Sequence, residues 1–295
     1  MGKAFGTGRQ MAHDPTALGR QFRRRLATGD VLLGGCAFEM IRPSLVKLYK
    51  HAGFDFIYAD NEHVLMAGLP TMADFVLAAN DNGLPVIAKC PELGRTEVAR
   101  LLEAGVTGIQ LPRTESRQDL QTLIDYMKFT PVGDRAAAPI FGNTEYAWPD
   151  DIGDWMEKAN ESTIVVAHIE TRRGLENIEE IVSTPGLDML YLGALDFSIS
   201  LGQPGHPEHP QVQQAMQRVL DVCLRHNVAW GTTSPSTEQA GAWMARGARF
   251  FETADELSMI AKCAAELVDD YNLAIKTVQT TYDYLKTNTV GENAP

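Results

Sequence analysis

Eight short apolar runs recur along this chain, each separated from the next by a stretch of helical periodicity. That rhythm admits few folds. The runs are Val31–Ala37, Phe54–Asp60, Pro85–Cys90, Gly108–Pro112, Thr163–Glu170, Met189–Gly193, Val228–Thr232 and Phe250–Thr253. Between them, apolar residues at three- and four-residue spacing predict helices over 42–52, 68–82, 95–104, 116–128, 174–183, 210–226 and 236–246. A last long helix is predicted over 256–286. Strands joined by such helices run parallel, because a parallel pair needs a crossover. Eight alternations of this kind predict an α/β fold, the (β/α)8 or TIM barrel. A doubly wound sheet is the alternative. It lacks its signature here, since no Gly-x-Gly-x-x-Gly follows the first strand and no Gly-x-x-x-x-Gly-Lys-Ser/Thr occurs.

A chain of 295 residues is long enough for one such barrel, which takes about 250. The barrel is expected over 13–288, with weakly patterned tails over 1–12 and 289–295. Residues 129–162 interrupt the repeat with Pro131, Gly133, Pro139 and Pro149 and the aromatics Phe141, Tyr146, Trp148 and Trp155. They read either as a lid over the carboxyl face or as a surface loop. The terminal helix carries a long apolar stripe through Leu267, Tyr271, Ile275, Val278 and Tyr282. Such a stripe covers either the chain's own barrel or a second subunit.

Charge and composition exclude several classes. A net charge of −12 argues against a nucleic-acid partner, which needs a basic face. No apolar stretch approaches the roughly 18 residues that span a bilayer, and no signal-peptide pattern opens the chain. The basic group Arg20, Arg23, Arg24 and Arg25 reads as a solvated helix face. Cys36, Cys90, Cys223 and Cys263 are widely spaced and form no Cys-x-x-Cys pair. They read as buried free thiols, and a cytoplasmic location is expected.

In a barrel the chemistry sits where the strands end. Glu170 and Asp196 follow the fifth and sixth runs, with one helical stretch between them, so they fall side by side on the carboxyl face. Neighbouring carboxylates repel unless a cation joins them, and a divalent metal is the simplest cation. The alternative is a pair of solvated strand ends or helix caps. The second run leads into Asp60-Asn61-Glu62-His63, where carboxylates can set the pKa and tautomer of a general-base histidine. Lys89 and Arg113 bring cations to the third and fourth strand ends, suited to a developing oxyanion. The turn Gly193-Ala194-Leu195 offers backbone N–H groups to a carboxylate. Together these residues suit enolate chemistry on a small keto acid.

The motifs Phe54-Asp-Phe-Ile-Tyr-Ala-Asp60-Asn-Glu62-His63, His168-Ile-Glu170-Thr171 with Leu175-Glu-Asn177-Ile, and Gly193-Ala-Leu-Asp196-Phe-Ser198 resemble the HpcH/HpaI aldolase family of class II pyruvate aldolases. The likeness runs in order from about residue 18 to 285. It implies a barrel whose last helix is exchanged within a homo-oligomer, from dimer to hexamer. It implies Mg2+, Mn2+ or Co2+ on Glu170 and Asp196, and pyruvate or oxaloacetate held by the Gly193–Leu195 turn with His168 nearby. His63, supported by Asp60, would move the proton. The implied reaction is reversible cleavage of a 4-hydroxy-2-keto acid into pyruvate and an aldehyde, through an enolate.

Three positions depart from the family pattern. Lys89 stands where the family has an arginine that stabilises the enolate, and a lysine lacks the planar fork. Arg113 is the neighbouring cation that can compensate. His168 replaces a common glutamine, and Ala194 a common proline. The alternatives these changes leave open are an oxaloacetate decarboxylase, a bond-forming enolate enzyme of the macrophomate synthase type, and a non-catalytic keto-acid-binding protein.

Overall fold

The computed structural model describes residues 15–63 and 68–289. The tail expected over 1–12, and all but the first residue of the tail expected over 289–295, lie outside them. Contacts group the chain into two units, Met1–Ala254 and Asp255–Pro295.

The first unit is a closed barrel with strands in sequence order, β1 (Leu32–Ala37), β2 (Phe56–Ala59), β3 (Val86–Lys89), β4 (Gly108–Leu111), β5 (Ile164–Ile169), β6 (Met189–Leu192), β7 (Ala229–Thr232) and β8 (Phe250–Asp255). All seven recorded strand pairings, β1 with β2 through β7 with β8, are parallel. The expected barrel is therefore the observed one, and strand bounds differ from the expected runs by a residue or two. The inside is a packed core. Leu32, Phe56, Tyr58, Ile87, Ile164, Val166, Met189, Tyr191 and Phe250 meet there at alternate strand positions, as a period of two requires.

Local chemistry explains where the helices begin and end. After α1 (Pro15–Ala27), α2 (Pro43–Ala52) starts on a proline, whose missing N–H costs nothing in a first turn. Next come α3 (Leu69–Asp81), α4 (Arg95–Ala104) and α5 (Arg117–Met127), the last capped by Ser116 accepting from the Asp119 N–H. Asp151 caps α6 (Ile152–Ser162) in the same way. The helix expected over 174–183 is broken at Asn177 into α7 (Arg172–Glu176) and α8 (Ile178–Val182). At the break the Asn177 side chain donates to the Glu115 carbonyl at 2.7 Å. A short helix the periodicity did not announce, α9 (Ala194–Ser200), follows β6 directly. Then come α10 (Pro210–Arg225) and α11 (Thr237–Arg246), with Ser236 capping α11.

Three expectations need correction. The segment 129–162 is not a lid over the carboxyl face. It follows α5 and precedes β5, so it lies at the amino-terminal rim, with Gly142 packed on the Ala104 carbonyl just before β4. There Phe129 and Trp155 stack at 5.1 Å. The arginines of α1 are not merely a solvated face. Phe22 enters the barrel core, Arg23 pairs with Asp188, and Arg25 pairs with Asp30 and Asp55. Among the thiols, Cys36, Cys90 and Cys223 are buried, but Cys263 is exposed; all four are free.

The second unit is dominated by one helix of 34 residues, α12 (Glu256–Thr289). Leu267, Tyr271, Ile275, Val278 and Tyr282 are exposed along it. No helix among the described residues is long and apolar enough to cross a membrane.

Candidate active site

The carboxyl ends of β2, β4, β5 and β6 enclose an open cleft of about 590 Å³ lined by Glu62, His63, Arg113, Glu115, Glu170, Arg172, Arg173 and Asp196, among others. Parallel barrels hold their chemistry at this face.

Glu170 is the first residue past β5 and only 6% exposed. Its Oε1 accepts the Arg113 backbone N–H at 2.7 Å. Arg113 reaches that position in the left-handed region, at φ 48°, a conformation that is uncommon for a residue with a side chain. Burial pushes the Glu170 carboxyl up, and Asp196 and Glu62 add to the rise, while Lys89 and the Arg113 N–H oppose it. Asp196 stands on the first turn of α9, exposed on the same cleft wall. Both acids line the same cleft, where their spacing in the sequence puts them. Among the described residues no group of three or more His, Cys, Asp or Glu is arranged to hold a metal. Glu170 and Asp196 are thus two hard carboxylates on one cleft, the first buried and the second exposed. That set fits Mg2+ or Mn2+, which retain water and substrate oxygens as their other ligands.

The cations are arranged differently from each other. Lys89 is buried and its ammonium is ion-paired with Glu62. Burial alone would lower its pKa, but Glu62, Glu170 and Asp60 outweigh burial and hold it above the ordinary value. Lys89 is therefore a buried, ion-paired ammonium. The Arg113 guanidinium is exposed on the rim, 3.7 Å from Glu115, while the arginine's backbone N–H meets Glu170.

His63 presents a side chain 61% exposed, with Nε2 3.4 Å from Glu62 Oε2. Asp60 supports it through the main chain: Asp60 Oδ1 accepts the N–H groups of Glu62 and His63, both at 2.7 Å. The Tyr58 hydroxyl donates to Asp60 Oδ2 at 3.1 Å.

The Gly193–Leu195 turn is more committed than expected. The Gly193 N–H donates to the Ile169 carbonyl at 3.1 Å and continues the strand ladder. That corrects its assignment as a free donor. Ala194 and Leu195 occupy the first turn of α9, where an N–H has no i−4 carbonyl.

His168 is not on the cleft wall but behind Glu170, with Nε2 3.1 Å from Glu170 Oε2, a close contact not aligned as a full hydrogen bond. Gln110 Nε2 approaches its Nδ1 at 3.5 Å. The Tyr191 ring packs against it edge-on, centroids 4.8 Å apart. Burial, then the charge of Lys89 and the neighbouring His63 side chain, holds the imidazole well below its ordinary pKa.

Sequence reasoning left out Glu62, which lines the cleft, and Gln110 and Tyr191, which pack against His168. Glu62 stood between two chosen neighbours. The others occupy inward strand positions, and a polar residue two places after an inward apolar one, as Tyr191 follows Met189, was the available signal.

The sequence model of the HpcH/HpaI aldolase/citrate lyase family matches residues 38–262. A 5-keto-4-deoxy-D-glucarate aldolase of Shigella dysenteriae serotype 1 (strain Sd197) is 24% identical over 256 residues, covering 85% of this chain and 96% of the relative. Among solved structures, the HpcH/HpaI aldolase from Desulfitobacterium hafniense DCB-2 superposes with a TM-score of 0.81 at 25% identity, covering 84% of this chain and 95% of that one. The citrate lyase beta subunit from M. tuberculosis, complexed with oxaloacetate and magnesium, shares the fold with a TM-score of 0.52 at 18% identity, covering 80% and 96%.

Proposed function

Since this chain belongs to the HpcH/HpaI aldolase/citrate lyase family, a family of lyase enzymes, we propose that it is a divalent-metal-dependent carbon–carbon lyase. The reaction we assign is reversible cleavage of a 4-hydroxy-2-keto acid to pyruvate and an aldehyde. The observation that carries this reading is the meeting of buried Glu170 with Asp196 in one cleft that His63 also lines. A divalent cation bound by these two acids would supply Lewis-acid stabilisation of the enolate oxygen.

The chain's own groups divide the remaining work. The Arg113 N–H orients Glu170, leaving lone pairs of that carboxylate for the ion. The first-turn N–H groups of Ala194 and Leu195 receive the keto-acid carboxylate, aided by the positive end of α9. His63, free on the cleft wall, takes the proton of the 4-hydroxyl as the carbon–carbon bond breaks and returns a proton in the reverse direction. Lys89, held charged by Glu62, Glu170 and Asp60, offsets part of the negative charge these acids bring to the site of an anionic keto acid. Assembly as a homo-oligomer is part of the proposal, supported by the exposed apolar side chains of α12.

Glu170→Ala tests the reading. It should abolish Mn2+-stimulated release of pyruvate from 4-hydroxy-2-keto acids and weaken Mn2+ binding at least tenfold by calorimetry. Unchanged metal-dependent pyruvate release would sink the proposal. A second reading, oxaloacetate decarboxylation, draws support from the Lys89–Glu62 ion pair, which ties up the cation standing in the arginine's place. Comparing turnover of oxaloacetate with that of the 4-hydroxy-2-keto acids separates the two, because only aldol cleavage needs the His63 proton relay.

A further inference from the structure

Glu170 and Thr171 are followed at once by two arginines, Arg172 and Arg173, which open α7 at the carboxyl face. Arg113, just past β4, lines the same cleft. The chemistry proposed above uses the Arg113 backbone and none of the three guanidinium groups.

The main chain that carries these arginines is braced. Glu170 accepts the Arg113 N–H, Ser200 Oγ accepts the Arg172 N–H at 2.7 Å, and the Asn177 side chain donates to the Glu115 carbonyl. Those bonds tie the loop after β4, α7 and the end of α9 to one another. The side chains are far less committed. Glu115 stands between two of them, with Oε1 3.7 Å from the Arg113 guanidinium and Oε2 3.8 Å from that of Arg173. Both separations are ion pairs too long for a hydrogen bond. Among the described residues, none of the three guanidinium groups donates a hydrogen bond, and Arg172 has no ion pair.

One exposed arginine is served by water and needs no explanation. Three along one cleft sum their fields there. The acids of the cleft do not cancel them. Glu62 is paired with Lys89, and Glu170 and Asp196 are the acids assigned to the metal. Glu115 and Glu176 remain in the lining against the three arginines, which leaves the mouth with a positive balance. The planar fork of each guanidinium matches the paired oxygens of a carboxylate or a phosphate. The space also calls for a second group. A cleft of about 590 Å³ falls in the range of about 300–1,000 Å³ that takes ligands far larger than pyruvate.

We infer that Arg113, Arg172 and Arg173 form an anion subsite for the far end of the second substrate, so that the aldehyde taken by this chain carries a carboxylate or phosphate group. That the anion belongs to an aldehyde rests on the lyase reading above. The anion subsite itself rests on the arginines alone.

Two measurements test this separately. In the first, the Mn2+-loaded protein adds pyruvate to butanal, to 4-oxobutanoate and to glycolaldehyde phosphate. At least one anionic aldehyde should exceed butanal in kcat/KM by about tenfold, what one hydrogen bond to a charged group contributes. The better of the two identifies the group as carboxylate or phosphate. Arg172→Gln and Arg173→Gln should each lower the ratio severalfold, and the double variant should abolish it. The Arg113 and Arg173 side chains are 67% and 69% exposed, so such substitutions leave the core intact. Equal turnover of all three aldehydes overturns the inference, and so does a ratio that survives in the double variant. The second measurement uses neither metal nor turnover. In 1H–15N spectra of arginine-labelled protein, the Nε–H signals assigned through the variants should shift saturably with succinate or with inorganic phosphate. No saturable shift with either anion overturns the inference whatever the activity. A saturable shift in a protein that adds pyruvate to no aldehyde would uphold the anion subsite and sink the lyase reading instead.

Discussion

Replacing Gly193 with alanine isolates a single contact. The glycine has φ −79° and ψ 90°, which alanine adopts without strain, so any effect must come from the added methyl group. That Cβ would lie 2.4 Å from His168 Nε2. Ordinary contact needs roughly 3.5 Å, so the ring must retreat by about 1 Å. It has no free direction, because Tyr191 packs on it at 4.8 Å and Gln110 holds Nδ1. Overpacking of this kind costs about 1–3 kcal/mol. A chain of this size loses roughly 2–4 °C of melting temperature per kcal/mol, so Gly193→Ala should melt roughly 2–12 °C below wild type by calorimetry. Its backbone hydrogen bond to Ile169 is unaffected, so the far-ultraviolet dichroism should be unchanged. A variant melting within about 1 °C of wild type would refute the claim that His168 is wedged between Gly193, Gln110 and Tyr191.

At the other end of the barrel, burial pulls the Lys128 pKa down to about 7, with Asp188 opposing. Between about pH 7 and lysine's ordinary value the unfolded chain then binds more protons than the folded one, so stability rises with pH across that window. The slope approaches about 1.4 kcal/mol per pH unit. Urea unfolding should show wild type gaining on Lys128→Met from about pH 7 to 9, and parallel profiles would show that the lysine stays charged. The thiols give a second check. Burial pushes the Cys90 thiol up to about 12 and Cys223 higher still, Cys36 is buried, and Cys263 is exposed. Ellman's reagent near neutral pH should therefore find one fast thiol in the native chain and the other three only on unfolding; two or more fast thiols would contradict the packing around Cys36, Cys90 and Cys223.

The sequence alone determined the barrel. Apolar runs with period two and helical stretches with period three to four are local signals, and eight of them in alternation leave one closed arrangement that buries every run. The same logic brought Glu170, Asp196 and His63 to one face, because parallel strands share a direction and their ends share a rim. What the sequence did not decide was which side chains meet across the barrel. Whether Lys89 points at the substrate or into Glu62 depends on strands β2 and β3 in three dimensions. Whether 129–162 covers the site depends on which end of the barrel it joins. The place of His168 behind Glu170, between Gln110 and Tyr191, joins side chains of strands β4, β5 and β6. Such contacts are set by barrel closure and register, long-range geometry with no local pattern to announce it.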